Sequence, residues 1–283
     1  MRPIAVMING LPGKMASETA RALLEQIDEF RLVPLSFTGP EITDRTWSYG
    51  NTEVTLVLPE NRESARPQIE RHRPFIAVDY SLPNAVMSNC EDYCRSGWPF
   101  VVGTTGADYT EMKSRVAATS ICAVANPNMS IPIVLIQSAL AFLADNFPSA
   151  LAGWTAGITE SHQQGKVDTS GTAKHLVGYF NRLGVQIELD QIEKIREPER
   201  QRREVGIPEE HLGGHAYHTY RLHSPDGTVE LGIVHNVLGR RTYALGTLKS
   251  VKFLQEQLDS GARGQLFSML DVLRQGQQRR AAP

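Results

Sequence analysis

Residues 7–27 read MINGLPGKMASETARALLEQI. An apolar run ends in a Gly-Leu-Pro-Gly-Lys-Met turn, and a stretch with helical spacing follows at once. Gly10 suits a tight turn, and Gly13 lets a pyrophosphate approach the backbone. The helix that opens near Met15 would aim its unbonded amides and the positive end of its dipole at that anion. A lone Gly-x-x-Gly is a weak sign. In the first βα turn of a doubly wound sheet it becomes the mark of a dinucleotide loop.

The flanking sequence supplies that sheet. Strands are expected at 3–9, 32–37, 54–59, 75–81, 100–105 and 121–126, with helices near 15–27, 61–72, 84–96 and 108–118. Val- and Ile-rich strands alternating with helices predict right-handed crossovers and a parallel sheet covered on both faces. After Pro127 the pattern changes. A long apolar helix (130–146), a strand (154–162) and a helix (170–183) precede strand-like runs at 185–196, 215–223 and 228–237. Strands joined mostly without helices predict a mixed or antiparallel sheet. The segment 202–214 is charged and broken by Gly and Pro, so it reads as a loop. From about 242 helical periodicity returns. The expected fold class is therefore α/β: a Rossmann-like parallel sheet over 1–128, a second α+β domain over 129–241, and C-terminal helices over 242–283 that rejoin the first domain.

Composition bounds the partners. With 283 residues, 21% charged, and a net charge of −2, the chain lacks the basic excess that nucleic acid or a membrane surface demands. No apolar run approaches the roughly 20 residues needed to span a bilayer. The N-terminus enters a strand pattern directly, without room for a signal or transit peptide. Three cysteines, Cys90, Cys94 and Cys122, point to a reducing compartment without disulfides. Cys90 and Cys94 stand four apart, but no further metal ligands accompany them. His211, His215, His218 and His223 cluster in sequence, yet residues of a strand alternate between faces, so no metal is expected.

In an open α/β sheet, ligands bind beyond the carboxyl ends of the strands. Two further loops fall there: Gly103-Thr104-Thr105-Gly106, and Asn126-Pro127-Asn128-Met129. The first offers amides and hydroxyls to a ribose or carboxylate, and Met129 suits the face of a nicotinamide. An NAD enzyme usually carries an acid at the end of its second strand, whereas this place reads Leu35-Ser36-Phe37-Thr38-Gly39. The hydroxyls of Ser36 and Thr38, with Lys14 nearby, favour NADPH, and dual use with NADH stays open.

The second half holds ESHQQGKVDTSGTAKHL, residues 160–176. Ser170 or Asp168 can cap the helix that follows. Gly171 and Thr172 then stand at the helix start, where an anion is welcome. Lys166 lies on the approach as an electrostatic clamp, and His162 just before it as a proton donor.

In this order of motifs (Gly-x-x-Gly-Lys-Met, Gly-Thr-Thr-Gly, Asn-Pro-Asn-Met-Ser, Glu-Ser-His, Lys-x-Asp, Ser-Gly-Thr-Ala) the whole chain resembles the 4-hydroxy-tetrahydrodipicolinate reductases, also called dihydrodipicolinate reductases. The commoner bacterial form has a His-His pair and Asp-Ala-Pro-Ser-Gly-Thr. Here Gln163 takes the second histidine's place, Asp168-Thr169-Ser170 is one residue shorter and lacks the proline, and Met129 replaces a phenylalanine. These features are similar to the plant-type branch. The resemblance implies that Gly10, Leu11, Pro12, Gly13, Lys14 and Met15 hold the cofactor phosphates. It places Gly103, Thr104, Thr105, Asn126, Pro127, Asn128 and Met129 at the nicotinamide end. Thr105, Gln163, Lys166, Ser170, Gly171 and Thr172 would hold a cyclic imine with two carboxylates. Hydride would go to ring C4, and His162, with an ordinary pKa of roughly 6.5, would protonate C3. The resemblance also puts Gly214-His215 near the substrate. It implies a cytoplasmic homo-oligomer, a tetramer or a dimer (in the plastid stroma for a plant), joined through apolar strands of the second domain.

Two other readings share this architecture. A homoserine, aspartate or semialdehyde dehydrogenase is one, and the semialdehyde enzyme needs a nucleophilic cysteine. Cys122, the nearest candidate, lies inside an apolar strand. A dinucleotide-sensing module without chemistry is the other, and His162 with Lys166 argues against it.

Overall fold

The computed structural model describes residues 2–281, which form two compact units: 2–131 with 241–281, and 132–240. Residues 282 and 283, the end of the expected C-terminal segment, lie outside the described residues.

In the first unit a six-stranded parallel sheet runs in the order β13-β8-β7-β6-β1-β2. Its strands are β1 (Ile4–Asn9), β2 (Phe30–Leu32), β6 (Ile76–Asp79), β7 (Phe100–Val102), β8 (Cys122–Ala125) and β13 (Gln265–Phe267). Every residue of β6, β7 and β8 is buried, as a sheet covered on both faces requires. Helices α1 (Lys14–Leu24), α2 (Arg62–Glu70), α3 (Val86–Ser96) and α4 (Tyr109–Ala117) make the crossovers, and α8 (Arg241–Asp259) and α9 (Met269–Ala281) complete the unit. Trp98, Tyr93, Phe100 and Met7 fill the core on one face.

Two strand expectations are corrected here. The run 32–37 breaks at Pro34, which has no N–H to give to a ladder. Its first part is β2, and its second, β3 (Leu35–Phe37), joins a separate small sheet. That sheet pairs β3 parallel to β5 (Thr52–Val57), and β5 antiparallel to β4 (Thr46–Tyr49). The run near 54–59 therefore lies outside the main sheet. Gly50, at φ +56°, makes the two-residue hairpin from β4 to β5.

Helix α8 carries Gly246 against the loop after β8. A Cβ at that position would overlap the Met129 carbonyl oxygen. Gly246→Ala should therefore cost about 1–3 kcal/mol of stability through overpacking, read as a lowered urea midpoint. An unchanged midpoint would mean that helix and loop separate without cost.

The second unit has a mixed sheet in the order β10-β9-β11-β12. Here β9 is Thr155–His162, β10 Glu193–Ile195, β11 His215–His223 and β12 Glu230–Leu238. Strands β10 and β9 are parallel, and the other two pairs are antiparallel. Of the strand expected over 185–196 only β10 forms. A 3-10 turn at Leu189–Gln191 interrupts it, because Asn181 on the preceding helix takes the amide and carbonyl of Ile187. Helices α5 (Ile131–Asn146) and α6 (Gly171–Arg182) pack on Ile158, Tyr220 and Leu222, and a single turn α7 (Pro198–Arg200) follows β10. Among the described residues no helix is long and apolar enough to cross a membrane.

Candidate active site

The glycine loop follows β1 as expected. Gly10 has φ +96°, a region that favours glycine, and a Cβ there would lie 2.6 Å from the Tyr80 carbonyl oxygen. The loop closes when the Gly13 amide donates to the Gly10 carbonyl at 2.8 Å. Gly13 then caps α1 without a side chain, and Lys14 opens the helix.

A buried polar network holds this loop to its neighbours. Asn9 accepts from the Phe37 amide and donates to the Tyr93 hydroxyl, both at 2.8 Å. Tyr93 donates to Asp79 at 2.6 Å, and Asp79 also accepts from the Ser81 amide and hydroxyl. One amide and one carboxylate thus join the carboxyl ends of β1, β3 and β6. Leu11 is fully buried, and Pro12 and Met15 are partly covered. Thr38 donates to the Leu11 carbonyl at 2.7 Å, while Ser36 accepts from the Leu11 amide at 3.4 Å. The structure assigns both hydroxyls to the loop's own backbone, a role the sequence reading did not give them. A pocket of about 290 Å³ opens beside the loop, lined by Gly10, Gly13, Thr38, Glu41, Arg62 and Leu82 among others. Glycines that admit no Cβ, an uncapped helix start and this pocket can together hold a dinucleotide.

The other two loops leave the same sheet edge. A Cβ at Gly103 would meet the Tyr80 ring at 2.5 Å. Thr104 donates to the Ser81 carbonyl at 2.9 Å, and Thr105 is exposed. Asn126 donates to the Asn128 carbonyl at 2.6 Å, and Asn128 accepts from the Ser130 amide at 2.9 Å. Pro127 is exposed between them. Met129 is only 1% exposed, so its side chain belongs to the core of the unit.

In the second unit β9 ends at His162, and its alternation puts Glu160 and His162 on one face. Cross-strand pairing adds His218, opposite Glu160. The fully buried Glu160 carboxylate pairs with Arg196 and accepts from the Ser170 amide at 3.1 Å. Ser170 is the cap of α6: its hydroxyl accepts from the Ala173 amide at 3.0 Å and shares a 2.8 Å bond with His218 Nε2. Asp168, the other candidate cap, instead holds Lys166 Nζ at 2.7 Å. Glu160 thereby fastens the end of β9 to the start of α6, with His162 Nδ1 3.9 Å away. Gly171 is exposed, and a Cβ there would meet nothing within 4 Å. Gln163 is half-buried, and its carbonyl accepts from the Lys166 amide at 2.9 Å. Thr172, partly buried, follows Gly171 in the first turn.

The electrostatics differ from the sequence expectation. Burial holds the His162 imidazole down to about 4, well below its ordinary value of 6.5. Glu160 pulls it up, while Arg196, Lys166 and His215 press it further down. His218 is driven well below its ordinary value, first by burial and then by His235, against which it stacks at 4.5 Å. His162, neutral in the free protein near pH 7, must gain its proton before it can act as a strong acid.

Glu160, His162 and His218 offer three ligand atoms within 4.8 Å of one another. The carboxylate's charge is already matched by Arg196, so the trio reads as a charge-balanced cluster packed around the Ser170 cap. His215 lies on the opposite face of β11, where it bonds Ser161 at 2.8 Å. Sequence reasoning missed Glu160 and Arg196 as structural partners. The Glu-x-His spacing on a strand was the available signal for the first, and nothing in the 185–196 run marked the second.

Matches to known proteins cover both units. The model of the dihydrodipicolinate reductase N-terminus matches residues 4–129, and that of the dihydrodipicolinate reductase C-terminus matches 132–273. A rice (Oryza sativa subsp. japonica) protein named probable 4-hydroxy-tetrahydrodipicolinate reductase 1, chloroplastic, is 40% identical, over 97% of this chain and 80% of its own. An Arabidopsis thaliana protein named 4-hydroxy-tetrahydrodipicolinate reductase 2, chloroplastic, is also 40% identical, over 98% of this chain and 79% of its own. In structure, the dipicolinate-bound dihydrodipicolinate reductase from Paenisporosarcina sp. TG-14 superposes with a TM-score of 0.63 at 18% identity, covering 94% of this chain and 97% of that one.

Proposed function

The chain belongs to the dihydrodipicolinate reductase family, and on that premise we propose that it reduces 4-hydroxy-tetrahydrodipicolinate, by way of dihydrodipicolinate, to tetrahydrodipicolinate in the diaminopimelate route to lysine. The observation that carries this reading is the joint held by Glu160, which puts His162, Lys166 and the start of α6 within one small region. That region meets the needs of a cyclic dicarboxylate whose ring must be protonated.

The pyridine nucleotide, held by Gly10–Met15 and the loops 103–105 and 126–129, supplies when bound the hydride that reaches ring C4. NADPH is the preferred form and NADH the second. Charge then develops on C3. His162 gives its proton there, having been recharged by the approach of the dianion. Lys166 Nζ moves from Asp168 to a substrate carboxylate, and Gly171 and Thr172 at the helix start take the same anion. Gln163 adds a polar group beside Lys166, and Thr105 adds one to the loop at the nicotinamide end. Asp79 and Asn9 keep the cofactor loops in register. For a semialdehyde dehydrogenase the chain would need an activated thiol, and burial pushes the Cys122 thiol up instead.

Lys166→Ala should raise KM for the substrate about tenfold or more and lower kcat as well, since a charge-assisted contact is worth roughly 1.5–3 kcal/mol. Steady-state kinetics check this. Loss of thermal stability with unchanged kinetics would make the lysine structural. The assignment as a whole is tested by mixing the protein with NADPH and enzymatically generated substrate and following the loss of absorbance. No oxidation of either cofactor would overturn it.

Assembly into a dimer or tetramer is part of the same proposal. Strand β12 is an edge strand, and Leu231, Val234 and Leu238 along it are exposed, which suits a second copy. The compartment we assign is the cytoplasm, or the plastid stroma in a plant, in keeping with the relatives named chloroplastic.

A further inference from the structure

We propose that Arg62 reads the 2′-phosphate of the cofactor's adenosine, with Glu41 of the same pocket as the acceptor for an unphosphorylated ribose. The inference rests on the reading of this chain as a pyridine-nucleotide reductase. The hydroxyls that would otherwise decide the preference, those of Ser36 and Thr38, are committed to the backbone of the glycine loop. Some other group must therefore discriminate at the adenosine end.

In a Rossmann unit the ribose lies beyond the strand that follows the first helix. An acid there takes its hydroxyls, and an arginine nearby takes a 2′-phosphate. The pocket beside the glycine loop has this position, bordered by the 38–42 segment after β3 and by Tyr80 to Ala85 after β6. Its lining among the described residues holds one cation, Arg62, and one anion, Glu41.

Arg62 is set in place before any ligand arrives. Its guanidinium lies 4.5 Å above the Phe37 ring, and Nη1 donates to the Asn89 side-chain oxygen at 2.8 Å. Asn89 is fixed in turn, since its amide donates to Asp79 at 2.9 Å. The tether is thus a neutral amide and an aromatic face, which orient the charge without cancelling it. Arg62 Nε is buried and has no hydrogen-bond partner, so the protein leaves part of the guanidinium's donor capacity unmatched. Glu41 rests against the Cα of Gly39, where any Cβ would overlap its carboxylate, so Gly39 keeps the acid at the pocket wall. A pocket with both charges accepts both cofactors, and the phosphate's charge of about −1.5 to −2 tilts it toward the arginine.

The test is calorimetric binding of 2′,5′-ADP and of 5′-ADP to the full chain and to Arg62→Gln, with KM for NADPH and NADH as a parallel readout. The wild type should bind 2′,5′-ADP about tenfold or more tightly than 5′-ADP. Arg62→Gln should erase that preference and leave 5′-ADP within about threefold of the wild type, because only the phosphate contact is lost. A preference that survives, or an equal loss for both nucleotides, overturns the assignment. If Arg62→Gln does not fold, Arg62→Lys is read in the same way: a preference reduced at least about threefold supports the role, and an unchanged one overturns it. A wild type that binds 2′,5′-ADP but oxidises no NADPH with substrate would defeat the reductase reading while leaving Arg62 in place.

Discussion

Replacing His162 by alanine lowers kcat by about a hundredfold or more, the usual scale for losing a general acid, while cofactor affinity stays within about twofold because the dinucleotide loops belong to the other unit. The geometry gives the reason. His162 ends β9 two residues after Glu160, and the Gln201 side chain holds its carbonyl at 2.6 Å, so the ring cannot be replaced by a drift of the strand. The pH profile adds a second signature. In the free protein burial holds the imidazole down to about 4. If His162 supplies the proton, kcat/KM falls as pH rises above that value, whereas kcat, which reports the complex, falls at a higher pH because the bound dianion stabilises the imidazolium. Turnover within threefold of the wild type would remove His162 from the mechanism. Glu160→Gln should shift the free-protein titration further down by deleting the carboxylate that favours the charged ring.

Acid should weaken the second unit well before it weakens ordinary surface ion pairs. His162 and His235 are held down to about 4, and His215 and His218 also lie below the ordinary 6.5. Burial is the first cause for all four. Their folded values are depressed, so the unfolded chain binds more protons between about pH 6.5 and 4. Stability is therefore full above that window and is lost as pH falls through it. A histidine held down to about 4 costs about 2 kcal/mol at pH 5, so His162 and His235 together remove roughly 4 kcal/mol. Asp168 and Glu63, held low by Lys166 and Arg66, add their losses only below their ordinary 3.8 and 4.5. Urea midpoints at pH 7.5, 6, 5 and 4.5 measure the curve. A flat response from 7.5 to 5 would show that these imidazoles are not buried neutral.

Much of the fold was legible because burial on both faces leaves a plain signature. Strands such as Phe100–Val102 and Cys122–Ala125 are apolar throughout, and the glycine loop between β1 and α1 announces itself. What stayed hidden depends on distant partners. Pro34 breaks an apolar run that reads as one strand, and only the pairing of Leu35–Phe37 with Thr55–Val57 shows that two sheets are involved. Asn181 diverts Ile187 from the strand that local propensity favours there. Within the candidate site, residue types and spacing pointed to His162, Lys166 and Ser170. The carboxylate that ties them together emerges only when β9 lies beside β11 and Arg196 folds back over Glu160. The depressed imidazole could not be read from sequence, because its cause is the bulk of surrounding atoms rather than any neighbour along the chain.

The separation of β3, β4 and β5 into their own small sheet has an evolutionary consequence. That sheet leads straight into the 38–42 wall of the nucleotide pocket, yet its strands share no ladder with the six that carry the remaining loops. Insertions, deletions or charge swaps in the 39–42 segment, beyond the bonds that tie Phe37 and Thr38 to Asn9, Gly10 and Leu11, can be sampled by descendants without shifting the parallel scaffold. Lineages facing different supplies of phosphorylated and unphosphorylated coenzyme could thus retune this one corner while inheriting the rest intact.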